Sequence, residues 1–286
     1  MHTQTGTPAT RTSDPLPPSR VTTFSPAASA RLPGLESVSA LDDDQMWLHD
    51  ALLGPFSGDI VEYLALARST GGPVLDLGSG TGRLAVPFAR HGFAVEAVDR
   101  DARSLDRLLD WAERIGPHVR NRITVTRTDL ARLRLRRRYR LALLAGTMVA
   151  AVPPPARPAV LREIAAHLAS DGALALDYTA HDPAGLARDP YRTWAFEVPR
   201  FDGVTEWVVA RQAFDTAASS ERITYFVERS DKTRIRRSIA STDKWIVRQG
   251  DLYEELHAAG LRVADEREQW LDERTRSVLL VCRTAK

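Results

Sequence analysis

At 286 residues, with 43% hydrophobic and 27% charged side chains, the chain is long enough for one large globular domain or one domain with an insertion. Its 39 basic residues nearly cancel its 37 acidic ones, so the summed field gives no reason to expect nucleic acid as a partner. The single cysteine, Cys282, excludes an internal disulfide and a cysteine-pair metal clip, and no apolar run approaches the roughly 20 residues that cross a bilayer. The expectation is a cytoplasmic protein with no membrane partner and no bound metal.

From Met1 to about Leu41 the residues are mostly Thr, Ser, Pro, Ala and Gly, with too little large apolar surface to offset the entropy of ordering a backbone. Residues 1–41 are therefore predicted to be a disordered arm. Asp42 to Asp44 then offer an N-cap to a helix through Trp47, Leu48, Leu52 and Leu53, and Ile60, Leu64 and Leu66 mark a second short helix. Predicted strands Val74–Leu77, Ala94–Val98, Ile123–Thr126, Leu141–Leu144 and Ala173–Asp177 alternate with helical patterns at Arg83–Arg90, Ala102–Ile115 and Pro158–Leu168, the last ended by Ser170-Asp171-Gly172. That alternation predicts an α/β fold, a Rossmann-like doubly wound sheet, with its core over 42–190.

After Tyr191 the pattern changes. Glu206–Phe214, Arg222–Glu228 and Thr233–Ile239 alternate β-branched or aromatic residues with polar ones, which predicts antiparallel hairpins with one wet face. Residues 191–247 are thus expected to form an antiparallel β insertion after the fifth strand, serving as a lid, a homodimer interface or both. A helix at Gln249–Ala259 closed by Gly260, with strands near Leu261–Ala264 and Ser277–Cys282, would complete a seven-stranded sheet over 248–286.

The strongest chemical signal is Val74-Leu75-Asp76-Leu77-Gly78-Ser79-Gly80-Thr81-Gly82-Arg83, a strand running into a glycine turn and then a helix. Glycines let the backbone turn tightly and approach a ligand where a Cβ would collide, and amides at the helix start face an anionic group. Dinucleotide enzymes use a wider spacing, G-x-G-x-x-G. Here glycine falls at every second position, and an acidic residue stands two places before the first.

This arrangement resembles the first motif of the class I S-adenosylmethionine-dependent methyltransferases, and the resemblance continues from about Trp47 to Thr179. It implies S-adenosyl-L-methionine as cofactor, with its methionine part held by Asp76, Gly78, Ser79 and Gly80, and with Arg83 also among the cofactor-binding residues. It implies that Asp99, ending Val95-Glu96-Ala97-Val98-Asp99, bonds both ribose hydroxyls. Asp129 would stand beside the adenine amine, Leu130 would pack on the ring, and the stem of Arg100 would cover the other face. Ala145 and Thr147, in Leu143-Leu144-Ala145-Gly146-Thr147-Met148, match the segment that lines cofactor and acceptor. Relatives commonly carry an Asp before this strand, where Arg140 stands here. Trp47-Leu48-His49-Asp50 resembles the aromatic–Asp segment that closes over the cofactor, with His49 in place of the usual Tyr.

Methyl transfer from a sulfonium is an in-line displacement whose main requirement is that the acceptor atom lie on the S–CH₃ axis. A neutral amine needs no base, although one helps if the amine arrives protonated, whereas a hydroxyl usually gives up its proton in the transition state. The resemblance places the acceptor among His49, Thr147, Asp177, Tyr178, His181, Tyr191 and Trp194. Either His49 or His181 is an imidazole base or a structural histidine, and Asp177 and Tyr178 either bind an ammonium group and cap the pocket or end a strand in the ordinary way. Catalytic roles are assigned to His49, Tyr178 and His181. Arg132 to Arg140 would attract an acidic substrate, a leader peptide or RNA, or form a solvated loop; the scarcity of stacking aromatics favours the loop.

The order of elements resembles glycine/sarcosine and amino-sugar N-methyltransferases and enzymes that methylate the N-terminal amine of peptide natural products. The leading expectation is N-methylation of a primary amine on a small molecule or peptide terminus. O-methylation of a secondary metabolite, and a non-catalytic cofactor-binding partner, are the alternatives.

Overall fold

The computed structural model describes residues 34–53, 58–200, 204–230 and 234–285. A short strand, Leu35–Ser37 (β1), precedes helices Asp43–Leu53 (α1) and Gly58–Thr70 (α2). The core then runs Val74–Leu77 (β2), Ala85–Arg90 (α3), Val95–Asp99 (β3), Ala102–Ile115 (α4), Pro117–Arg120 (α5), Ile123–Arg127 (β4), Tyr139–Leu144 (β5), Met148–Ala151 (α6), Arg157–Ala166 (α7) and Leu168–His181 (β6). Pro183–Arg188 (α8) leads to four long strands, Tyr191–Pro199 (β7), Thr205–Asp215 (β8), Ser220–Ser230 (β9) and Ile235–Trp245 (β10). Gln249–Ala258 (α9), Leu261–Asp272 (β11) and Thr275–Thr284 (β12) end the fold.

Seven strands form the core sheet in the order β11-β12-β6-β5-β2-β3-β4. β2 pairs in parallel with both β3 and β5, and β12 returns antiparallel to β6. Alternating side chains build a core on each face. Leu75, Leu77, Leu144, Leu174 and Leu176 meet Val160, Leu161, Ile164, Leu252 and Leu256 of α7 and α9. Val74, Val95, Ala97, Leu141 and Leu143 meet Tyr63, Leu64, Phe88, Leu105 and Leu108 of α2, α3 and α4. Each fully buried Leu or Phe contributes about 1.5–3 kcal/mol, so these two layers carry most of the stability.

The second sheet has the order β1-β10-β9-β8-β7. Its strands from β7 to β10 are antiparallel neighbours, whereas β1 joins β10 in parallel, Leu35 opposite Arg237. Residues 35–37 therefore belong to a sheet edge rather than to an unstructured arm; they dock by backbone pairing, extended by the Val38 amide bonding the Ile239 carbonyl at 3.0 Å. Such pairing has no apolar sequence signature. Residues 1–33 of the predicted arm, and Thr233 at the start of one predicted strand, lie outside the described residues.

Two further differences have local causes. β6 begins at Leu168, because Tyr139 pairs with Leu168 and the ladder then shifts so that Leu141 faces Ala173. The Ser170-Asp171-Gly172 signal marks that bulge, and a Cβ on Gly172 would stand 2.9 Å from the Tyr139 carbonyl oxygen. β7, flanked by Pro190 and Pro199, was not among the predicted strands. Among the described residues no helix is long and apolar enough to cross a membrane.

Candidate active site

The glycine turn sits at the C-terminal end of β2, where the Gly78 and Ser79 amides donate to the Val98 carbonyl at 2.8 and 3.0 Å. Gly78 has φ 75°, and a Cβ there would stand 2.5 Å from Cε of Met148, so both backbone and neighbour require its absence. Gly80, φ 52°, has nothing within 4 Å of its Cβ position, so open space lies above it.

Two buried polar atoms at this turn have no partner, Oδ2 of Asp76 and Oγ of Ser79. Leaving such groups unpaired costs about 1–3 kcal/mol each, and both point to a polar ligand. Burial pushes the Asp76 carboxyl up to about 7, helped by the Asp99 charge and opposed by Arg83. Asp99, ending β3, accepts from the Gly80 amide through Oδ2 and from the Asp101 amide through Oδ1, both at 2.9 Å, leaving each oxygen a further lone pair. Beyond β4, the exposed Asp129 caps the turn Leu130–Arg132 through the Ala131 amide, while Leu130 is buried and Arg100 is exposed. Asp76, Asp99 and Asp129 thus end or follow three neighbouring strands, β2, β3 and β4.

Helices α1 and α2 cover the turn. Asp50 Oδ1 accepts from the Thr81 hydroxyl at 2.9 Å, and Arg83 donates to both Asp59 oxygens at 2.8 and 2.9 Å. Trp47 is directed elsewhere: it packs against the second sheet beside Leu48, Val198, Val208 and Val227, with the Arg200 guanidinium 4.2 Å above its ring. Asp50, rather than Trp47, reaches the glycine turn.

The acceptor side is built around Asp177. Its Oδ1 accepts from the Tyr63 hydroxyl at 2.6 Å and the Gly146 amide at 2.7 Å, and its Oδ2 from the Thr147 amide at 2.8 Å. Burial raises its carboxyl, and these three donors oppose the rise. The Asp177 side chain therefore clamps the loop after β5, holding Thr147 at φ 60°, rather than lying free for an ammonium group. Ala145 is buried at the start of that loop. Lys244 of β10 donates from Nζ to the Thr147 hydroxyl at 2.7 Å, joining the second sheet to the core.

The three side chains expected to be catalytic are dispersed. Tyr178 follows Asp177 on a strand and so faces the opposite way, fully buried in the layer with Leu174, Leu176 and Val278. Its hydroxyl faces protein, not a cleft. His181 is 5% exposed, its ring edge on Phe214 at 4.9 Å between centroids and its Nε2 4.0 Å from Glu221. Burial, then the Arg192 charge, pushes its imidazole down to about 4, with Asp272 opposing. It is uncharged at neutral pH and a weak base. His49 is 68% exposed, 3.9 Å from Asp50. Tyr191 lies on the outward face of the second sheet under Arg211, whereas Trp194 shares the inward face with Gln212 and Glu221. Tyr63, Glu221 and Lys244 were not legible as site residues in the sequence.

The Arg132 to Arg140 run is largely tied into the fold. Arg137 bonds Glu96 at 3.1 Å, Arg138 the Leu168 carbonyl at 2.8 Å, and Arg140 the Thr70 carbonyl at 3.3 Å with Asp171 at 3.4 Å. Arg140 thus anchors the start of β5.

Residues 74–172, from β2 into β6, match the methyltransferase domain family. These residues form a methyltransferase domain, of a family that uses S-adenosylmethionine. The fold of the whole chain is shared by DesVI of Streptomyces venezuelae, at 19% identity over 86% of this chain and 99% of that one, TM-score 0.68. It is shared by the glycopeptide N-methyltransferase MtfA, solved with S-adenosyl-L-homocysteine, at 17% identity over 92% and 99%, TM-score 0.61. It is shared as well by CalS10, an amino pentose methyltransferase from Micromonospora echinaspora bound to S-adenosylmethionine, at 20% identity over 79% and 90%, TM-score 0.59. No curated protein sequence matches the chain.

Proposed function

We propose that this chain is an S-adenosylmethionine-dependent methyltransferase that N-methylates a primary amine carried by a small molecule or by the N-terminus of a peptide natural product. The observation that carries the reading is the acceptor side of the cleft. It presents the carboxylate of Glu221, which draws an ammonium group, while the two imidazoles expected to serve an oxygen nucleophile do not fit that role: His181 is a weak base and His49 is exposed. MtfA and CalS10, by their names an N-methyltransferase and an amino pentose methyltransferase, support the same class.

The cofactor, when bound, supplies an electrophilic methyl group on a sulfonium. The unpaired Asp76 and Ser79 atoms and the open space over Gly80 fit its methionine part, and the spare lone pairs of Asp99 fit ribose hydroxyls. Asp129, Leu130 and Arg100, just beyond the ends of β3 and β4, would flank its adenine. The remaining residues position the acceptor: Asp177 and Tyr63 fix the Thr147 loop, and the inward face of the second sheet lays Trp194, Gln212 and Glu221 opposite it. Holding a nucleophile in line is worth several kcal/mol of barrier, which is the larger part of such catalysis.

The test is incubation with methyl-labelled S-adenosylmethionine and panels of amines, hydroxy compounds and tRNA. Label on nitrogen of a primary amine supports the proposal; label appearing only on oxygen or carbon overturns it.

A further inference from the structure

The sequence contains three lysines, Lys232, Lys244 and Lys286, among its 39 basic residues. Arginine supplies nearly all the positive charge, yet the position where the second sheet meets the core loop holds a lysine. The two differ in one respect that matters in a cleft: a lysine sheds its proton when its charge is poorly solvated, and an arginine does not. Lys244 Nζ lies 2.7 Å from the Thr147 hydroxyl, one residue before the Met148 that packs beneath Gly78. It therefore stands beside the glycine turn at the acceptor side of the cleft. Among the described residues no carboxylate oxygen comes within the 4.0 Å of an ion pair with it.

We propose that Lys244 is the catalytic base that removes the proton from the acceptor atom. The inference rests on the methyl-transfer reading of the site. The acceptor arrives as an ammonium and first gives one proton to the neutral Nζ; the freed nitrogen lone pair then forms the new C–N bond as the S–CH₃ bond breaks with its electrons passing to sulfur. Lys244 then returns that proton to solvent.

Every group that faces Nζ bears on its charge. Burial lowers its proton affinity, while Glu221, directly opposite on β9, and Asp177 of β6 raise it. Glu221 is itself held by the Gln212 amide at 2.9 Å and sees Arg192 of β7, and His181 beside it is uncharged. The net direction is downward, toward a lysine that releases its proton more readily than a solvated one.

The test uses the full-length protein grown with ε-¹³C-lysine, which gives three lysine signals, and K244R, which assigns one of them by its loss. The expected result is a Lys244 midpoint well below those of the other two lysines, with turnover rising along the same midpoint as pH increases. A midpoint coinciding with theirs overturns the proposal. K244R is expected to lose about 10²- to 10⁴-fold in kcat while binding S-adenosylhomocysteine like the wild type. K244A should recover rate with added alkylamines in proportion to their basicity, which a merely structural lysine would not allow. Rescue absent, or K244R as fast as wild type, overturns the base role. Failure of the wild type to bind S-adenosylhomocysteine overturns the cofactor reading instead, and label confined to oxygen overturns only the amine.

Discussion

Asp76 is held in the free protein at a position that favours its neutral form, because no donor faces its Oδ2 and burial raises its carboxyl to about 7. An acid whose proton affinity rises on folding contributes stability that is complete below its unfolded value near 3.9 and is lost as pH climbs to about 7. D76N should therefore raise stability at pH 8 relative to wild type, by at most about 4 kcal/mol, and leave it nearly unchanged at pH 4. The same variant should bind S-adenosylhomocysteine at least about tenfold more weakly, an effect of 1.4 kcal/mol or more, and wild-type binding should strengthen from pH 6 to 8. Chemical denaturation at the two pH values and calorimetry decide both; destabilisation at pH 8 with unchanged affinity would refute them. Asp76, Ser79, Gly80 and Asp99 were legible because a cofactor shared by a whole family imposes a fixed local motif. Lys244, Glu221 and Tyr63 were not, because three distant segments bring them together and each alone is an ordinary residue.

At the scale of an element, parity decides which side chains meet. Asp177 and Tyr178 are neighbours in sequence, yet the two-residue period of β6 sends one to the Thr147 loop and the other into the layer below. Sequence reading placed Ala173–Asp177 on a strand but not its faces, since from Ala173 to Leu176 both sides of the strand are apolar. Y63F should leave cofactor affinity unchanged, lower stability by about 1 kcal/mol through the lost bond to a buried carboxylate, and reduce kcat as Thr147 gains freedom. Equal losses in cofactor affinity and kcat would show that Tyr63 serves the turn instead. The glycine turn divides the same way. G78A meets Met148 and should destabilise the fold by about 1–3 kcal/mol, whereas G80A meets nothing and should cost about 1–2 kcal/mol of left-handed backbone strain while obstructing the cofactor's approach. Thermal unfolding beside calorimetry separates them: G78A failing chiefly in Tm, G80A chiefly in affinity.

Across the whole molecule the two sheets are unequally supported. The core sheet is packed on both faces, while the second sheet shares one small cluster, Leu48, Val198, Val208 and Val227, with helix α1. Regions with few buried apolar contacts open below the global unfolding free energy, so amides of β8 and β9 should exchange faster than those of β2, β3 and β5. Beside that cluster, a polar link joins the second sheet to the N-terminal segment: Arg200 bonds Glu206 at 2.5 Å and Asp44 of α1 at 3.0 Å, and its guanidinium covers Trp47 of the same helix. None of this was legible in the sequence, where residues 191–247 read as a separate insertion; the partners lie about 150 residues apart and the edge strand β1 has no hydrophobic pattern. Glu206 is 2% exposed, so removing its cation leaves a buried charge worth about 3–5 kcal/mol. In R200M, hydrogen exchange should accelerate together in α1, β8 and β9, with β2 to β5 unchanged. If α1 kept its protection while β8 and β9 lost theirs, helix and sheet would be independent, and the closure of the cleft over an acceptor would belong to the sheet alone.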